Sequence, residues 1–206
     1  GRIIYGDEQM VLFSRDILRE KPGAIIISEV KSSHRLYTDI AAKGGKPIMW
    51  KTGHSLIKSK MKETHAALAG EMSGHIFFND RYYGFDDAIY AAARLLEILS
   101  ETKKSTADLL ADLPSSFSTP EIRRDCPDDV KFEVVKKALE LFKSQGLKVN
   151  PIDGARIEYS DGWGLVRASN TQPVLVFRFE ATSPQRLKEI QTQMEGAISE
   201  LLTRLV

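Results

Sequence analysis

Cysteine is nearly absent from this chain: Cys126 stands alone among 206 residues. A lone cysteine cannot close a disulfide within its own chain, and it excludes a cysteine-built metal cluster. Its neighbours Asp125, Pro127, Asp128 and Asp129 are acidic or helix-breaking and give a thiolate no support, so the thiol is expected to be inert. Such scarcity fits a reducing, cytoplasmic setting. An excess of one charge is missing too, since 29 Lys and Arg face 28 Asp and Glu for a formal net charge of +1. That balance argues against nucleic acid as a partner, which calls for a basic excess, and leaves only local anion recognition. No apolar run approaches the roughly 20 residues of a membrane span, so no membrane partner is expected. The N-terminus also lacks the apolar stretch of a signal peptide.

What is present alternates. Ala24-Ile25-Ile26-Ile27-Ser28-Glu29-Val30 is a short, β-branched run suited to a strand buried on both faces. A helical stripe precedes it over Asp7 to Glu20 and stops at Pro22-Gly23, and another follows over His34 to Ala42. Pro47 to Trp50 and Ala66 to Ala69 read as further strands around a helix over Ser55 to Lys62. The pattern predicts a three-layer α/β/α domain with a mainly parallel sheet. A longer helix follows Asp86-Asp87, with Ile89, Ala92, Ala93, Leu96 and Leu99 as its expected apolar face. The breaker-rich stretch from Ser100 to Pro120 reads as a linker, dividing domains 1–114 and 115–206.

The second domain has another rhythm. A helix over Lys131 to Lys143 precedes strands at Ala155 to Tyr159 and Trp163 to Arg167, joined by the turn Ser160-Asp161-Gly162. A third strand over Pro173 to Ala181 leads to Ser183-Pro184, the cap and first residue of a final helix. This predicts a smaller α+β domain with an antiparallel sheet. At the other end, Gly1 to Gly6 reads as the turn and second strand of a hairpin. No initiating methionine precedes it, so the chain is expected to be a piece of something longer.

Two short segments carry the chemistry. Gly70-Glu71-Met72-Ser73-Gly74-His75 sets a carboxylate, a hydroxyl and an imidazole on a glycine-flanked loop, a set that suits sugar hydroxyls. Arg167-Ala168-Ser169-Asn170-Thr171-Gln172-Pro173 sets a planar donor fork, two hydroxyls and an amide before a proline, a set that suits phosphate. The backbone amides of Ser169, Asn170 and Thr171 are further candidates for an anion nest. In open α/β sheets, ligands bind beyond the carboxyl ends of the strands. Lys31, the Lys51-Thr52-Gly53-His54 segment and the Glu71 loop each follow a predicted strand, which brings them to one rim. Desolvation and a neighbouring cation can fit a lysine such as Lys31 for proton transfer, and the His54 imidazole is a candidate for similar work. Plainer readings stand beside these: a surface lysine, a helix-capping His54, a half-buried His75, and two ordinary turns.

With Phe77-Phe78 and Tyr83-Gly84-Phe85-Asp86-Asp87 between them, the two loops closely resemble those of the α-D-phosphohexomutases, bacterial phosphomannomutase/phosphoglucomutase type. Met72 matches that subgroup, whereas phosphoglucosamine mutases usually carry Gln there. The resemblance implies a four-domain enzyme that interconverts the 1-phosphate and 6-phosphate of a hexose. The route uses a phosphoserine, Mg²⁺ and a hexose 1,6-bisphosphate intermediate and activator. It further implies that this chain holds domains three and four only. The serine loop T-x-S-H-x-P is absent, and Asp153-Gly154 and Asp161-Gly162 do not reproduce the metal loop D-G-D-G-D-R, so no metal ligands are expected here.

By resemblance, Glu71 and Ser73 bind sugar hydroxyls O3 and O4, and Lys31 is the general acid/base with His54 as its helper. His75 is a companion at the reacting end, and Arg167, Ser169, Asn170 and Thr171 clamp the non-reacting phosphate. The expected partners are mannose or glucose phosphates and the missing N-terminal domains, with both loops gripping one ligand. The chain alone is expected to be inactive. The alternatives are a stand-alone, non-enzymatic phosphosugar-binding module and a domain pair whose loops bind nothing.

Overall fold

Apolar strand runs alternate with amphipathic helices through the first part of the chain, so its central strands must be covered on both faces. The computed structural model describes residues 2–205, and these fall into two compact units, 1–114 and 115–206. The first unit runs through α1 (Gly6–Glu20), β1 (Ile25–Glu29), α2 (His34–Ala42), β2 (Lys46–Trp50), α3 (His54–Thr64), β3 (Leu68–Gly70), β4 (Ile76–Phe78), α4 (Ala88–Glu101) and α5 (Thr106–Leu109). Strand order is β2-β1-β3-β4. β1 pairs in parallel with β2 and β3, so that Ile27 lies opposite both Ile48 and Ala69, while β4 returns antiparallel at the edge.

Alternating side chains leave the sheet on opposite faces. Ile26, Leu68 and Phe78 pack with Met10, Phe13, Ile17, Leu36 and Ile40 from α1 and α2. Ile27, Ala69 and Phe77 pack with Ile57 and Met61 of α3. The result is the expected three-layer arrangement.

Four details differ from the sequence reading. Gly1 lies outside the described residues, and Arg2 to Tyr5 form no strand, because α1 already begins at Gly6. β4 was not anticipated, since three apolar residues carry no period. The stretch after α4 is more than a linker. Ser105 and Asp108 form a capping box that starts α5, and Leu110 is buried with Leu109 and Leu113 packed into the first unit's core.

The fourth difference concerns α4, whose expected apolar face is not the buried one. Ile89 and Leu96 are 85% and 66% exposed, whereas Ala91, Arg94 and Ile98 are buried. The helix is apolar on more than one side, so its period does not select a face. Ion pairs anchor the other side: Arg94 reaches Asp80 at 3.1 Å and Asp16 at 3.2 Å, and its guanidinium lies over the Phe78 ring.

The second unit comprises β5 (Phe117–Ser118), β6 (Ile122–Asp125), α6 (Lys131–Ser144), β7 (Lys148–Asn150), β8 (Ala155–Tyr159), β9 (Gly162–Ala168), β10 (Val174–Ala181) and α7 (Pro184–Leu205). The order is β5-β10-β9-β8-β7, with β6 also on β10, and every pairing is antiparallel. Ile157, Val166, Leu175, Phe177 and Phe179 face Val134, Ala138 and Phe142 of α6 and Ile190, Met194 and Ile198 of α7. Ser183 Oγ caps α7 by accepting the Arg186 N–H at 3.1 Å. The short strands β5, β6 and β7 were also unanticipated. Among the described residues no helix is long and apolar enough to cross a membrane.

Asp80 ties α1 to α4, since Lys21 and Arg94 both bond its buried carboxylate. Burial works against the ionised form, but the bonds from Lys21 and Arg94 outweigh it and hold the carboxyl below its ordinary pKa. A depressed carboxyl pKa stabilises the folded state above the unfolded pKa of about 4 and is lost as pH falls through the folded value. Asp80→Asn is expected to cost about 2–4 kcal/mol near neutral pH, because it leaves Arg94 short of a buried partner. Urea unfolding between neutral and acid pH checks this: the variant should show the shallower loss of stability on acidification.

Candidate functional site

Parallel pairing brings the carboxyl ends of β1, β2 and β3 to one edge of the sheet, and the loops that follow carry Lys31, His54, Glu71, Ser73 and His75. These loops are bonded to one another. The buried Glu71 accepts the Gly53 N–H at Oε1 (3.0 Å) and the Ser73 hydroxyl at Oε2 (3.2 Å). Each oxygen keeps acceptor capacity for a further donor. His54 opens α3 immediately after Gly53, and its ring centroid lies 6.2 Å from that of His75. His75 Nδ1 lies 2.7 Å from Asp86 Oδ2. With the proton on Nδ1 the ring donates to Asp86, and Nε2 keeps a lone pair for a ligand.

The first turn of α1 is pressed against the same loop. Gly6 N–H donates to the Met72 carbonyl at 3.2 Å. A Cβ at Gly6 would stand 2.4 Å from the Glu71 carbonyl oxygen, so the approach requires glycine.

Lys31, two residues beyond β1, is buried at 6% exposure, and its Nζ lies 4.0 Å from Glu29 Oε1. Glu29 itself is fully buried. It accepts hydrogen bonds from the backbone N–H of Lys31 (2.7 Å), the hydroxyl of Thr52 (3.1 Å) and the backbone N–H of Met72 (3.2 Å). Burial raises the Glu29 pKa, while Lys31 and the two amides pull against that rise.

In the second unit, Arg167 lies near the end of β9, and Ser169, Asn170 and Thr171 form the turn into β10. Ser169 N–H donates to the Val174 carbonyl at 3.0 Å, closing the hairpin. Arg167 is held by Asp153, with Nε 2.9 Å from Oδ2. Gly154 (φ +98°) makes this possible, because a Cβ there would stand 2.3 Å from the Val166 carbonyl oxygen and 2.7 Å from Arg167 Cβ.

Two of the three amides offered for an anion nest, those of Ser169 and Thr171, have partners within the turn. Ser169 Oγ accepts the N–H groups of Thr171 (3.3 Å) and Gln172 (3.2 Å). The loop is also pinned from outside. Lys131 Nζ donates to the Gln172 carbonyl at 2.9 Å, and Cys126 N–H donates to the Pro173 carbonyl at 2.9 Å. Burial pushes the Cys126 thiol up, against the opposing charge of Lys131, in keeping with an inert cysteine.

Sequence reasoning missed Glu29, Asp86, Asp153 and Lys131. Of the two acids at the start of α4, Asp87 caps the helix by accepting the Tyr90 N–H at 2.9 Å, while Asp86 pairs with His75. A charged residue closing an apolar strand run was the available signal for Glu29. An Asp-Gly pair between strands was the one for Asp153. Among the described residues no group of three or more His, Cys, Asp and Glu is arranged to hold a metal ion.

Comparison with known proteins places both units in one family. Residues 5–117 match the model of the phosphoglucomutase/phosphomannomutase α/β/α domain III. Residues 121–197 match the phosphoglucomutase/phosphomannomutase C-terminal domain. A phosphomannomutase/phosphoglucomutase of Pseudomonas aeruginosa is 52% identical over 193 residues, covering 93% of this chain and 42% of the relative. A crystal structure of a phosphoglucomutase/phosphomannomutase family protein from Burkholderia thailandensis superposes with a TM-score of 0.88 at 48% identity, over 98% of this chain and 43% of the other. An Aspergillus fumigatus structure solved with glucose 1,6-bisphosphate shares the fold at 15% identity, with a TM-score of 0.69 over 98% of this chain and 44% of that one. The chain therefore spans about two-fifths of the length of the curated relatives it matches. It belongs to the phosphoglucomutase/phosphomannomutase family, of which it carries the α/β/α domain III and the C-terminal domain.

Proposed function

We propose that this chain is the sugar- and phosphate-holding part of a cytoplasmic phosphohexomutase, an isomerase that interconverts the 1-phosphate and 6-phosphate of mannose or glucose. The observation that carries the reading is the bonded rim of the first unit. Glu71 and Ser73 are set beside His54 and His75, with acceptor capacity left on the Glu71 carboxylate. Such a carboxylate accepts from two neighbouring sugar hydroxyls. Contacts to O3 and O4 hold when the sugar is turned end for end, as an exchange between positions 1 and 6 requires.

The nucleophilic serine, carried as a phosphoserine, and the Mg²⁺ ligands belong to the rest of the parent protein in this reading. The metal's contribution when bound is to neutralise charge on the transferring phosphoryl group. This chain's residues do the remaining work. Lys31 takes the proton from the attacking sugar hydroxyl as the new P–O bond forms and the serine P–O bond breaks. After the hexose 1,6-bisphosphate has turned, Lys31 returns that proton to the departing sugar oxygen as the serine is phosphorylated again. His54 and His75 assist at the reacting end, the latter oriented by Asp86. Arg167, Ser169, Asn170 and Thr171 hold the phosphate that does not react, with Asp153 fixing the guanidinium. The glucose 1,6-bisphosphate held by the Aspergillus fumigatus protein supports a bisphosphorylated hexose as the intermediate.

The purified chain of 206 residues is expected to turn over no glucose 1-phosphate in a coupled assay, and measurable turnover would overturn the division of labour. In the full-length parent, Lys31→Met should lower kcat by roughly 10²–10⁴-fold with little change in KM, the loss typical of a missing general acid/base. Arg167→Lys should instead act mainly on KM, raising it ~10–100-fold, because an ammonium cannot reproduce the bidentate fork. Steady-state kinetics with both hexose 1-phosphates check the pair.

A further inference from the structure

Glu29 takes no part in the chemistry proposed above, yet it is the most deeply buried ionisable side chain of the first unit, at 0% exposure. Burying a carboxylate costs far more than burying an aliphatic group unless its oxygens are well bonded. Packing alone gives no reason for an acid at this point of an apolar strand. Its contacts do. Oε2 accepts the Lys31 N–H and the Thr52 hydroxyl, and Oε1 accepts the Met72 N–H. Lys31 belongs to the loop after β1, Thr52 to the loop after β2 and Met72 to the loop after β3. One carboxylate therefore touches all three loops of the rim. Besides these donors, Lys31 Nζ lies 4.0 Å away, and the Glu71 carboxylate acts on Glu29 as a like charge.

We propose that Glu29 is a positioning residue for the mutase reaction: it fixes Lys31 and the sugar-binding loop relative to one another by bonding the backbone of both. The proposal rests on the reading of Lys31 as acid/base and of Glu71 and Ser73 as sugar ligands. Two substitutions separate positioning from space-filling. Glu29→Gln keeps the shape but replaces one acceptor oxygen with an N–H donor that faces other donors. Glu29→Asp keeps the charge and both acceptors but is shorter and leaves a small void. If Glu29 mattered only for packing, Gln would be the milder change; if it positions, Asp is.

In the full-length parent, Glu29→Gln is expected to lose ~10²-fold in kcat/KM, mostly in kcat, as misplacement of a reacting group by about an ångström does. Glu29→Asp should retain more activity than Glu29→Gln. A Gln variant as active as wild type, or more active than the Asp variant, overturns the proposal. Amide hydrogen exchange on this chain gives a second readout that needs no activity. Lys31 and Met72 amides should exchange faster in Glu29→Gln than in wild type, and unchanged protection at both also overturns it. A wild-type parent without mutase activity would instead remove the functional reading, leaving the exchange measurement to decide whether Glu29 organises the rim.

Discussion

The Glu71 carboxylate, accepting the Gly53 amide, ties the loop after β3 to the loop after β2, and the site in the first unit depends on that tie. It acts beside the contacts of Glu29, which bond all three loops that follow the parallel strands. Together they set the Glu71 carboxylate, the Ser73 hydroxyl and the imidazoles of His54 and His75 in one frame. The parallel register sets the loops side by side, and the buried acids then hold them there. Glu71 does so from the solvent side and Glu29 from within the protein. Oxygen atoms fixed in this way lose little freedom when a ligand hydroxyl arrives, which is the general advantage of a pre-organised site.

The second unit solves a related problem differently. The turn between β9 and β10 carries backbone amides that need acceptors. Here Ser169 Oγ supplies one, and Asp153 occupies the guanidinium of Arg167. Both partners are oxygens of the same unit, and together they hold the turn. Lys131 and Cys126 hold its far side through the Gln172 and Pro173 carbonyls.

Much of this was legible in the sequence. Wherever a run was long enough to show a period, strand and helix emerged close to their final bounds, as His34–Ala42 and Ala155–Tyr159 illustrate. The strand-end location of Lys31, His54 and the Glu71 loop followed from the same pattern. The losses have physical causes. β4, β5 and β7 hold two or three residues each, too few for periodicity to register. The α4 face was misjudged because apolar residues lie on more than one side, and the deciding contact was the ion pair of Arg94 with Asp80, distant in sequence. Glu29, Asp86 and Asp153 escaped notice for a similar reason. Their importance lies in partners supplied by other elements, and no local pattern records that.

The measurement that bears most directly on the account is a titration of glucose 6-phosphate into this chain, followed by backbone amide NMR. The account predicts shifts concentrated at Gly53 and Glu71 to His75 in the first unit and at Ser169 to Gln172 in the second. Shifts confined to other surfaces, or none at either loop up to saturating ligand, would contradict it.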